Sequence, residues 1–103
     1  MEYNLPVIPE RFALVATAFG EDIRGLTPME AGMKAVCACR KLAQDVEIPL
    51  SLKAVNVPKN ALETMADDLI SNRARQAHGL DLNVRKCTKK SLLDLLKRMY
   101  EGN

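Results

Sequence analysis

The sequence predicts an all-α fold: a compact bundle of four to five helices with irregular loops, forming a single helical domain over residues 1–103. Three observations predict it. Apolar residues recur at helical spacing in four separate segments. Signals that start and stop helices stand at the ends of those segments. No run alternates apolar and polar residues in the manner of a half-buried strand.

Residues 1–9 read as extended, because Pro6 and Pro9 disfavour helix in the residues before them. Pro9 suits the first position of a helix, where its missing N–H is no loss. That helix runs to about Phe19, with Phe12, Val15, Ala16 and Phe19 on one face and Gly20 as its stop. Thr27-Pro28-Met29-Glu30 is the strongest start signal: threonine at N-cap, proline at N1 and glutamate at N3 form a capping box. The second helix then extends to about Val46. Met29, Met33, Val36, Cys39, Ala43 and Val46 make one apolar side, widened by Ala31, Ala35, Ala38 and Leu42. So broad an apolar arc places this helix centrally, with neighbours on more than one side. Glu30–Lys34 and Lys41–Asp45 are spaced to pair.

Pro49 and Pro58 bracket an irregular segment over 47–58, whose Leu50, Leu52 and Val55 are expected to lie against the core. A third helix starts near Pro58 or Asn60 and buries Leu62, Met65, Ala66, Leu69 and Ile70. The run 71–79 either continues it or forms a separate turn ending at Gly79. A loop over 79–87 leads to Thr88, which caps a last helix running to about Tyr100. Leu92, Leu95, Leu96 and Met99 face inward there, with Leu93 and Tyr100 at the edge. Lys89 and Lys90 stand at the front of that helix, where the dipole disfavours cations.

Composition narrows the function classes. A chain of 103 residues is one domain by length and buries enough surface for one core. With 48% of residues apolar, disorder is excluded, and with few aromatics the core is aliphatic. A net charge of +2 gives no reason to expect nucleic acid or an anionic membrane. Three cysteines make an odd count, which reads as reduced thiols in the cytoplasm rather than a secreted disulfide framework. Neither a signal peptide nor an apolar run of membrane-spanning length is visible.

Catalytic equipment is sparse. Cys37 and Cys39 lie two apart on a helix, so their side chains diverge by about 200° and cannot grip one metal ion. A zinc site joining them to Cys87 and His78 needs unusual geometry, and small packing thiols are the simpler reading. His78 precedes Gly79 in a polar segment, where a surface or helix-end histidine outweighs a general base without partner or pocket. Arg73, Arg75, Arg85, Lys86, Lys89, Lys90, Lys97 and Arg98 form a basic set suited to phosphate backbones. Acids are interleaved with them and stacking aromatics are absent, so a solvated face outweighs nucleic-acid binding. The methionines fall on apolar faces as packing residues. No catalytic, cofactor-binding or metal-ligating residue is assigned to this chain.

The order of short motifs resembles the C-terminal part of the helical domain in iron-containing (group III) alcohol dehydrogenases, the dehydroquinate synthase-like architecture. Met1-Glu2-Tyr3-Asn4 is similar to the end of a phrase in which an aromatic residue and Asn follow a Leu-Pro-x-Val-Met run. Arg11 to Gly20 resembles the alanine-rich helix that follows it. Ile48-Pro49-Leu50-Ser51-Leu52 resembles the family's Gly-Ile-Pro-x-x-Leu loop, Asn56-Val57 its Gly-Val step, and Asn83-Val84-Arg85 its Asn-Pro-Arg loop. Glu47 and Asn56 stand where the family uses glycine, and Val84 where it uses proline. The resemblance implies that the chain is one piece of a longer enzyme, consistent with its apolar opening stretch. It implies a parent enzyme using Fe²⁺ or Zn²⁺ and NAD(P), with a nucleotide-binding domain and metal-binding helices upstream as partners. In such a site the metal polarises the substrate oxygen and the nicotinamide supplies the hydride chemistry. This chain is then expected to be a scaffold, inactive alone and binding no cofactor, and a homo-oligomer is compatible with it. The other reading from the residues is a free-standing helical module that binds nucleic acid or a protein partner.

Overall fold

The computed structural model describes residues 1–72, 80 and 82–102. Four α-helices and three short 3₁₀ turns make up the regular structure of the described residues, with no strand among them. The all-α prediction is therefore what the structure shows. The chain divides into two compact units, Met1–Ile48 and Pro49–Asn103.

The first unit holds a 3₁₀ turn at Glu2–Asn4, α1 at Pro9–Ala18 and α2 at Pro28–Asp45. The opening segment is not the extended stretch its prolines predict. It coils at residues 2–4 and keeps Leu5 in the right-handed helical region. The reason is burial. Leu5 is only 3% exposed and joins Phe12, Ala16, Ala35 and Val36 in the core, with Ile8 and Ile23 packed against them. Hiding one leucine stabilises the fold by roughly 1.5–3 kcal/mol, more than the local preference for extended backbone resists.

Helix α1 starts at Pro9 and stops as its sequence predicts. Gly20 has a φ of 84°; its N–H donates to Thr17 O at 2.9 Å, and Glu21 N–H donates to Ala16 O at 3.0 Å. Those two bonds form a Schellman stop. The capping box of α2 is also as read. Glu30 N–H donates to Thr27 Oγ1 and Thr27 N–H donates to Glu30 Oε2, both at 3.2 Å. That use of Glu30 removes its expected pairing with Lys34, which lies 3.9 Å from Glu21 instead. Lys41 and Asp45 pair at 2.8 Å as their spacing predicts.

The buried face of α2 is narrower than its apolar arc. Ala31, Gly32, Ala35 and Val36 are buried, whereas Met29, Met33, Leu42 and Val46 are exposed. Within its unit α2 packs on α1 rather than standing between several helices. Phe12 and Ala16 are likewise the buried residues of α1, with Val15 and Phe19 exposed at its flank.

The second unit begins with a segment tied to the last helix by Leu52 N–H donating to Met99 O at 3.0 Å. Leu52 packs on the core and Val55 points outward, the reverse of the expectation for Val55, while Val57 takes its place. Helix α3 spans Leu62–Ser71, preceded by a 3₁₀ turn at Lys59–Ala61, and α4 spans Lys89–Glu101. Leu62, Ala66, Leu92 and Leu96 form the centre of this unit's core. Met65, Leu69 and Ile70 pack around it on α3, and Leu93 and Tyr100 on α4. Met99, expected inside, is exposed. Thr88 caps α4 reciprocally with Ser91: Ser91 N–H donates to Thr88 Oγ1 at 3.1 Å, and Thr88 N–H to Ser91 Oγ at 2.9 Å. The ending of α3 was left open by the sequence; helix stops at Ser71, and residues 73–79 lie outside the described residues.

Candidate functional site

Helix α2 carries two of the three thiols and sets them on different sides. Cys37 is exposed, Cys39 is half-buried, and Cys87, in the loop before α4, is half-buried too. All three are free thiols. The Cys87 sulfur lies 3.9 Å from the Arg85 carbonyl oxygen, which also accepts a 2.7 Å bond from the Asn83 amide. These contacts hold the 83–87 loop together and bring no base to the thiol.

A concave feature with charged walls lies along α2. It is an open groove of about 400 Å³ lined by Glu21, Glu30, Met33, Lys34 and Cys37. Lys34 lies within ion-pair distance of Glu21, and Glu30 is held by the helix cap. Each carboxylate therefore has a structural role, and the groove shows no nucleophile with an aligned base.

The basic set divides. Arg73 and Arg75 fall outside the described residues, as does His78. On α4, Lys89 reaches across to α3 and pairs with Asp67 at 2.6 Å. Its hydrogen bond to Asp67, then the Asp67 and Glu63 charges, raise the Lys89 pKa above 10.5. This pairing offsets the unfavourable position of a cation at a helix front. In the first unit the Arg24 guanidinium donates to both Asp22 oxygens, at 3.0 and 2.8 Å, and holds that carboxyl below its usual range. Both pairs are solvent-exposed and act as local ties.

Among the described residues no three His, Cys, Asp or Glu side chains are placed to hold an ion. Buried polar or charged side chains are also missing from them, and the core is apolar throughout. The described part of this chain does not fit a metal centre.

The comparison with known proteins then decides the family. The sequence model for the Fe-containing alcohol dehydrogenase family, C-terminal part, matches residues 1–100. The chain belongs to this family. Its family members include a 1,3-propanediol dehydrogenase of Klebsiella pneumoniae, 38% identical over 65 residues that make 63% of this chain and 17% of that protein. A methanol:N,N-dimethyl-4-nitrosoaniline oxidoreductase of a Mycobacterium species is 46% identical over 66 residues, 61% of this chain and 16% of that protein. The solved alcohol dehydrogenase from Oenococcus oeni superposes with a TM-score of 0.84 at 31% identity, covering 96% of this chain and 24% of its own. These relatives are oxidoreductases by name, and the chain spans about a quarter or less of their length. No helix among the described residues is long and apolar enough to cross a membrane.

Among the structural residues that sequence reasoning missed are Leu5, Ile23, Gly32 and Val57. Gly32 had a visible signal, a glycine inside a strong helical pattern, which marks a close approach by another segment.

Proposed function

We propose that this chain is the C-terminal helical scaffold of a metal- and NAD(P)-dependent alcohol oxidoreductase, cytoplasmic and without catalytic groups of its own. The carrying observation is that a family match over residues 1–100 falls on two units whose buried side chains, as described, are all apolar. Such cores shape and support neighbours; they do not supply ligands or proton carriers. The metal and the dinucleotide belong to the upstream part of the enzyme, and that part is the partner of this chain. Primary alcohols and diols of the kind named for its relatives are the substrate class.

The test is direct. The 103-residue chain, with its helical content confirmed by circular dichroism, is assayed with methanol and 1,3-propanediol, NAD⁺ or NADP⁺, and Fe²⁺ or Zn²⁺. No turnover above background is expected. Sustained, enzyme-proportional reduction of the dinucleotide would show that the chemistry resides in these residues and would overturn the proposal.

A further inference from the structure

We draw no further inference here: the strongest candidate, the open groove along α2 in which the exposed Cys37 thiol lies with Met33 and Lys34, carries nothing, because it rests on a lone cysteine and no second observation in the structure points to a ligand.

Discussion

Gly32 sits in the second turn of α2, inside the helix, where glycine costs about 1 kcal/mol relative to alanine. Its neighbours account for it. A Cβ there would overlap the Leu5 terminal methyl and come within 3.0 Å of Phe12 Cβ and 3.3 Å of the Pro9 carbonyl oxygen. The leucine methyl is packed in the core and has to swing aside, and the other two atoms move only if α1 moves. Overpacking of this kind costs roughly 1–3 kcal/mol, which exceeds the gain in helix propensity. Gly32→Ala is therefore expected to lower stability by about 1 kcal/mol net, read from the urea midpoint. In a Leu5→Ala background the same substitution should cost less, because one of the three obstructing groups is gone. Equal costs in both backgrounds would contradict the packing account. Leu5 and Gly32 were illegible as a pair, since sequence periodicity reports which face a residue shares and not which distant side chain lies over it.

Helix ends were far more legible than helix faces. Thr27, Glu30, Thr88, Pro9 and Gly20 act within four residues of their partners, so their roles are local and the sequence states them. Faces depend on which neighbour arrives. Met29, Met33, Leu42 and Met99 are apolar at helical spacing, yet exposed in these two units. Two other ends link sequence and structure closely. Glu47 and Asn56, standing where the family resemblance calls for glycine, are the two non-glycine residues with positive φ among those described, at 61° and 63°. Glu47 N–H donates to Gln44 O at 3.0 Å and Ile48 N–H donates to Ala43 O at 2.8 Å, which together form a Schellman stop on α2. Glutamate in that conformation carries a penalty that glycine avoids, whereas asparagine tolerates it better. Glu47→Gly is expected to raise stability by up to about 1 kcal/mol, with a smaller gain for Asn56→Gly, measured by thermal melting. A destabilising Glu47→Gly would show that its side chain holds a contact worth more than the backbone strain.

At the scale of the whole molecule, we propose that structure is separated from chemistry. Both units have apolar cores, their ion pairs Lys89–Asp67 and Arg24–Asp22 are exposed ties, and among the described residues no aligned base serves the free thiols. The scarcity of catalytic residue types is itself a property of the sequence, with His78 as its one histidine. The most direct measurement is the steady-state turnover of a chimera in which residues 1–100 replace the matching segment of the Oenococcus oeni alcohol dehydrogenase. The account predicts alcohol oxidation within about tenfold of the parent enzyme, since the reactive groups remain untouched. A chimera that is folded and binds metal and dinucleotide normally, yet has lost turnover by several orders of magnitude, would contradict it.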